Sequence, residues 1–257
     1  MAVAIHPSAI VESGAQLGDG VQVEAFAYIA STVKIGNGTV IRHHASVEGN
    51  TTIGNHNLVA PYACIGGLTQ DLKYKGGVVG LTIGDYNQFR EYVTIHAATT
   101  DQAKTKLGNY NVMLAYSHVA HDCVVGDHNV MSGNSALAGH VVIGNQTNIA
   151  WSAGIHQFCQ IGDYAMVSAC SKVVQDILPF MIADGNPAKV RAVNKIGLQR
   201  NGFSDHQIND IKEIFKELYK SGKNRTQALA FLEKKFSKNP SYNQMLRFIQ
   251  NSTRGLA

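Results

Sequence analysis

The sequence predicts a mainly β fold: a parallel β-helix of hexapeptide repeats over residues 1–188, then a small α-helical domain over residues 189–257. Three observations carry this reading. An aliphatic or large apolar residue recurs at every sixth position, from Ile5 almost without a break to Val173. The fourth residue after it is small or turn-forming, as at Ala9, Ala15, Ala27, Ala45, Ser117, Cys123, Ala153 and Cys159. Beyond Pro179 this grammar gives way to apolar residues at helical spacing. A helix repeats near 3.6 residues and a strand near 2, so a sustained period of six fits neither. It marks a solenoid in which each hexad is one short strand and one turn.

In chain order, the first run is Ile5, Val11, Leu17, Val23, Ile29, Ile35, Ile41, Val47, Ile53, Val59 and Ile65. A polar, glycine-bearing stretch interrupts it before Ile83, Phe89 and Ile95. A second such stretch precedes Leu107, after which the register holds to Val173. Both interruptions are read as loops thrown out from a corner, where solenoids place binding residues. With three hexads per triangular coil, the repeat makes roughly nine coils, and at ~4.8 Å between stacked strands a prism roughly 40 Å tall. Asn57, Asn87, Asn111 and Asn129 occupy the small-residue slot, where tolerance of left-handed backbone is expected to serve the corner. In the second domain Ser204 is placed as the N-cap of a helix carrying Ile208, Ile211, Ile214, Phe215, Leu218 and Tyr219. Thr226 is placed as the cap of a second helix, and Pro240-Ser241 opens a third.

The net charge of +4 hides a split. Residues 1–188 hold 8 Lys+Arg against 13 Asp+Glu, whereas residues 189–257 hold 14 against 5. The basic tail is read as a docking patch for an acidic protein partner rather than for nucleic acid, because no recognition motif accompanies it. No apolar run is long enough to span a membrane, and no signal peptide or lipidation motif is present, so the chain is expected to be cytoplasmic. Cys64, Cys123, Cys159 and Cys170 lack metal-binding or disulfide spacing and are expected to be free thiols.

Of the 11 histidines, 10 lie in the repeat. Counting in coils of eighteen brings His121, His140 and His156 to within one residue of the same place on successive coils. They should line one edge, with Gly139 one coil above His121 and His118 close by. A lone histidine on a solenoid corner is an ordinary solvated turn residue. Three on one edge beside Asp122 point to chemistry.

The strings His118-Val-Ala-His121-Asp122-Cys123, Leu137-Ala-Gly139-His140 and His156-Gln157-Phe158-Cys159 resemble those of the UDP-N-acetylglucosamine O-acyltransferase family. So do Gln70-Asp71-Leu72-Lys73-Tyr74, Gly185-Asn186-Pro187 and Ser252-Thr253-Arg254-Gly255, and the resemblance runs the length of the chain. It implies a left-handed coil and a homotrimer with active sites between subunits. It also implies transfer of a 3-hydroxyacyl chain from acyl carrier protein to the 3-hydroxyl of UDP-N-acetylglucosamine, the first step of lipid A synthesis. No cofactor, metal or covalent intermediate is implied. His121 would be the general base, Asp122 its support and the Gly139 N–H the oxyanion donor. Asp71, Lys73, His118, His140, His156 and Gln157 would line the sugar and phosphate region, Asn194 and Arg200 would reach the nucleotide, and Ala169 would limit acyl length. Ile196 and Asn201 stand where the family often carries an acidic residue and a second arginine.

Two other classes share the repeat. Zinc-dependent carbonic-anhydrase-like β-helices also use histidines on neighbouring faces, and some β-helices are non-catalytic scaffolds. A related N-acyltransferase carries an extra N-terminal domain, which a repeat beginning by Ile5 leaves no room for. The acyl length, and the choice between a 3-hydroxy and a 3-amino sugar, stay open at this level.

Overall fold

The structure, a computed structural model, describes residues 2–257. Twenty-six short strands, most of only two residues, follow one another from Ala4–Ile5 to Lys172–Val173, one per hexad. They stack into three parallel sheets that form the faces of a left-handed triangular prism. The first face runs from Ala4–Ile5 to Met166–Val167, the second from Ile10–Val11 to Lys172–Val173, and the third from Gln16–Leu17 to Gln160–Ile161. The period-six residues point inward. Ile29, Ile41, Val59, Ile65, Val119, Leu137 and Ile149 have no solvent exposure. Each such side chain contributes about 1.5–3 kcal/mol on leaving water. The small-slot residues are buried too (Ala27, Ala45, Cys123 and Ala165 among them), filling the inside of each corner, where a larger group would overpack the prism.

The residue just before the small slot, not the small slot itself, takes the left-handed backbone. Tyr62, Tyr92, Tyr116, Asp122 and His140 have φ of 63°, 60°, 63°, 59° and 61°. This conformation costs a non-glycine residue about 1–2 kcal/mol, and stacking offsets part of it. Between the first and second faces Phe26, His44, Tyr62, Tyr92 and Tyr116 form a column with ring centroids 4.8 to 5.1 Å apart. We call this the tyrosine edge. Between the third and first faces His56, Tyr86, Tyr110 and His128 form another.

The four small-slot asparagines therefore do something other than the sequence suggested. They are buried and form a ladder. Asn87 donates through its backbone N–H and side-chain amide to Asn57 Oδ1 at 2.8 and 2.9 Å, and Asn111 does the same to Asn87. The Asn129 N–H donates to Asn111, and that of Thr147 to Asn129. The ladder satisfies backbone N–H groups at corners where no strand partner exists.

The same ladder records the loops. Its rungs are separated by 30 residues, then 24, then 18. The extra residues leave the wall between Cys64–Gly67 and Gly80–Ile83, and again between Thr94–His96 and Lys104–Leu107. Both departures lie at the edge between the second and third faces, which also carries His121. We call it the histidine edge.

At the far end an antiparallel hairpin, Met181–Gly185 with Ala188–Val193, extends the first face. It carries β structure past the boundary at 188 read from the sequence. Four helices follow: α1 (Lys195–Arg200), α2 (Asp205–Lys220), α3 (Arg225–Phe236) and α4 (Pro240–Asn251). Ser204 caps α2 in a reciprocal capping box with Gln207, as expected. Asn224, not Thr226, caps α3, and Asn239 caps α4 with Pro240 in its first turn. The helix α1 was not anticipated. Ile208, Ile211, Ile214, Leu232 and Met245 join one core with the last coil of the prism. Among the described residues no helix is long and apolar enough to cross a membrane.

Candidate active site

His121 and Asp122 form the turn between the strands His118–Val119 and Val124–Val125. The left-handed backbone at Asp122 swings its carboxylate back alongside the preceding side chain, and Oδ2 lies 2.9 Å from His121 Nδ1. Asp122 is 9% exposed and is held from two further sides. Its N–H donates to Thr105 Oγ1 at 2.8 Å, and its carboxylate accepts from the Thr99 N–H at 3.2 and 3.1 Å. Thr99 in turn shares a 2.6 Å hydroxyl contact with Thr69, whose oxygen accepts from the Asp71 N–H. Asp71 Oδ1 then accepts from the Lys73 N–H at 2.9 Å. Both loops are thus tied to the carboxylate that orients His121.

Carboxylate contact at Nδ1 keeps the proton on that nitrogen and leaves Nε2 as a lone pair. One coil above lies Gly139. A Cβ on it would fall 2.4 Å from His121 Cε1 and 2.6 Å from Nε2, so only glycine lets the backbone approach the imidazole this closely. The Gly139 N–H has no partner among the described residues. Basic nitrogen and free amide donor therefore sit side by side.

His140 packs edge-on to His121 at 5.3 Å and stacks on Phe158 at 4.7 Å. His118 Nδ1 lies 2.7 Å from Thr94 Oγ1. Burial, with His96 and His121 close by, pushes His118 down to about 4, so it is neutral at ordinary pH. His96, which sequence reasoning did not single out, packs against His118 at 5.0 Å with Nδ1 buried and unpartnered, and burial lowers it as well. Coil counting passed over it because the loop after it breaks the eighteen-residue spacing. His156 and Gln157 occupy the same edge higher up, both exposed. Burial raises the Cys123 thiol to about 12 and that of Cys159 to about 11, so neither supplies a thiolate nucleophile here.

The zinc alternative can be weighed on geometry. One donor atom each from His121, Asp122 and His140 lies within 4.8 Å of the others. Two ligands on a tetrahedral zinc stand about 3.3 Å apart. His121 Nδ1 and Asp122 Oδ2, at 2.9 Å, are instead hydrogen-bonded to each other, and the carboxylate is engaged by Thr99. His140 Nε2 lies 3.7 Å from the same Asp122 oxygen, so the three groups converge on one carboxylate.

Three expected residues lie elsewhere on the chain. Asn194 and Arg200 line a groove of about 640 Å³ with His128, Gln146, Asn148, Ile196 and Asn201, beside the first face and its edge with the third. Asn194 is itself engaged as the cap of α1: its Oδ1 accepts from the Gly197 N–H at 3.1 Å, and its Nδ2 donates to the Tyr164 carbonyl at 2.8 Å. Ala169 is exposed on the tyrosine edge, just before Cys170.

Comparison with known proteins identifies the family. A family model described as UDP N-acetylglucosamine O-acyltransferase, domain 2, matches residues 176–257. An acyl-[acyl-carrier-protein]–UDP-N-acetylglucosamine O-acyltransferase of Vibrio atlanticus is 53% identical over 98% of this chain and 97% of its own length. The chain belongs to the acyl-[acyl-carrier-protein]–UDP-N-acetylglucosamine O-acyltransferase family. The relative of the same description from Gloeothece citriformis is 42% identical over 72% of this chain and 66% of its own length. The crystal structure of UDP-N-acetylglucosamine O-acyltransferase from Moraxella catarrhalis superposes with a TM-score of 0.94 at 42% identity, covering 98% of each chain.

Proposed function

We propose that this chain transfers a 3-hydroxyacyl group from acyl carrier protein to the 3-hydroxyl of UDP-N-acetylglucosamine, the first step of lipid A synthesis, with His121 as general base. The observation that carries the reading is the adjacency of the His121 imidazole, oriented by Asp122, to the Gly139 backbone. His121 Nε2 takes the hydroxyl proton as that oxygen attacks the thioester carbonyl. The carbonyl oxygen becomes negative and is met by the Gly139 N–H. The new C–O bond forms, the C–S bond breaks, and the proton passes from His121 to the departing thiolate. The raised thiols of Cys123 and Cys159 support direct transfer without an acyl-enzyme. His118, His140, His156 and Gln157, with Asp71 and Lys73 on the tethered loop, would line the acceptor.

The division of residues between edges supports a homotrimer. In one chain His121 is on the edge between the second and third faces, whereas Arg200 and Asn194 lie beside the first face and its edge with the third. A threefold axis near the tyrosine edge would set the second face of one subunit against the first face of the next, bringing these two groups together. The outward residues of the first face include Val40, Leu58, Val112, Val130 and Met166, an apolar strip suited to such packing. On the second face Ala136 and Gly154 follow His118, and a Cβ at Gly154 would meet nothing within 4 Å. They leave room for an acyl tail rising toward Ala169. On α2, Lys212, Lys216 and Lys220 recur at helical spacing on the basic domain and would meet the acidic carrier in the cytoplasm.

The test is to incubate the protein with UDP-N-acetylglucosamine and a panel of 3-hydroxyacyl carrier thioesters and identify the product by mass. An ester at the glucosamine 3-position is expected; no acylated sugar nucleotide with any donor would overturn the reading. In the same panel Ala169→Met should favour a chain several carbons shorter, since each lost methylene contact is worth ~0.8 kcal/mol or about fourfold. An unchanged length profile would remove Ala169 as the limit.

A further inference from the structure

The end of the chain is sewn onto the prism at one buried carboxylate. Asp176 has no solvent exposure. It accepts from the Gln160 N–H at 2.7 Å, from the Ser252 hydroxyl at 2.6 Å and from the Arg254 N–H at 3.4 Å. Its own N–H donates to the Gly255 carbonyl, and the Ala257 N–H donates back to the Asp176 carbonyl. Leu256 and Ala257 are buried beneath this strap.

The strap delivers one side chain to the histidine edge. Arg254 Nη2 lies 3.4 Å from His156 Nδ1 and 3.4 Å from the Val174 carbonyl oxygen. A guanidinium only donates, so beside it His156 Nδ1 must offer its lone pair and keep its proton on Nε2. The Gln157 carbonyl, 3.2 Å from the same Nδ1, asks for the opposite tautomer. The permanent charge of Arg254 favours the first. The guanidinium also hydrogen-bonds to the Cys159 thiol, which ties it to the corner between the second and third faces.

We infer that Arg254 is a positioning residue for the sugar-nucleotide end of the site: it holds His156 as an Nε2–H donor toward the diphosphate. This rests on the acceptor being the sugar nucleotide proposed above. The C-terminal strap thereby becomes part of the active-site edge as well as a closure of the fold.

The test compares full-length wild type with Arg254→Gln, Arg254→Lys and Ser252→Ala. Arg254→Gln should raise KM for UDP-N-acetylglucosamine about tenfold, the scale of one charged hydrogen bond. KM for the acyl carrier thioester should stay within twofold, and the melting temperature should be close to wild type. Arg254→Lys should recover part of the loss. Ser252→Ala should lower the melting temperature while raising KM for the sugar nucleotide less than Arg254→Gln does. In ¹⁵N-histidine-labelled protein without substrate, the His156 proton should move from Nε2 to Nδ1 in Arg254→Gln. That readout stands even if the acceptor assignment fails. An unchanged KM for the sugar nucleotide, an equal rise for both substrates, or an unchanged His156 tautomer would each overturn the inference.

Discussion

The tyrosine edge and the histidine edge are built on the same backbone and put to opposite uses. On both, most coils place one residue in the left-handed conformation at the turn. On the tyrosine edge Tyr62, Tyr92 and Tyr116 fill that position in successive coils and stack nearly parallel, with interplanar angles of 5° and 1°. On the histidine edge the column reads Asp122, His140, Phe158, and the two loops open there and nowhere else in the repeat. A stacked ring returns part of the cost of the strained backbone to stability. A carboxylate returns it by fixing a neighbouring imidazole. The fold provides a strained slot at every corner, and the residue placed in it decides whether a corner holds the prism together or carries out chemistry.

The contrast can be broken most sharply at its centre. His121→Ala should lower turnover about 10²- to 10⁴-fold, the usual range for a general base. Its melting curve should stay close to wild type, because a turn side chain is lost and no core contact. Steady-state kinetics beside a thermal melt decides this, and near-normal turnover would remove His121 from the mechanism. Gly139→Ala tests the neighbouring backbone. Its methyl must displace the His121 ring, so turnover should fall about 10²- to 10³-fold, comparable to losing an oxyanion donor. An active Gly139→Ala enzyme would mean that the imidazole has another place to sit.

At the structural edges the effect should be on stability. Asn111→Ala removes one rung of the buried ladder, leaving the Asn129 N–H without its acceptor and Asn87 Oδ1 without its side-chain donor, while the backbone N–H at position 111 still donates. About 1–3 kcal/mol of stability should be lost, measured by denaturant unfolding. A pH-dependent effect, expressed only in acid, concerns His118. Its folded pKa, about 4, lies below its ordinary 6.5, so below pH 6.5 the unfolded chain binds the proton and the folded one does not. Stability should therefore fall as pH drops from 6.5 toward 4, and His118→Gln should show a shallower fall over that window. Identical slopes would show that His118 is not responsible.

Much of this was legible in the sequence because the signal is one-dimensional. A residue that must enter a prism at every third of a turn leaves a mark at every sixth position, and that mark located the strands from Ile5 to Val173. The coil count likewise placed His121, Gly139, His140 and His156 on one edge. It failed where the period did. The count did not bring His96 to the edge, because the loop behind it shifts the spacing to its partner His118. The asparagines were assigned to the strained position because asparagine tolerates it. Their actual role, bonding across coils separated by 30 and 24 residues, leaves no local trace. At α3, Asn224 and Thr226 are both competent caps two residues apart, and composition does not choose between them. The six-residue α1 is too short to show a period.

The loop lengths have a consequence of their own. Rungs separated by 18 residues elsewhere stand 30 and then 24 apart at the loops, so each excursion has the length of whole hexads. Each excursion leaves and re-enters at the same corner, and the strand after the first loop, Gly80–Ile83, pairs in register with Asn50–Ile53, so the coils beyond are set by their own strands. The histidine edge is thus a site of length variation that the rest of the prism does not sense. It is where such an architecture can change what it binds without relearning how to fold.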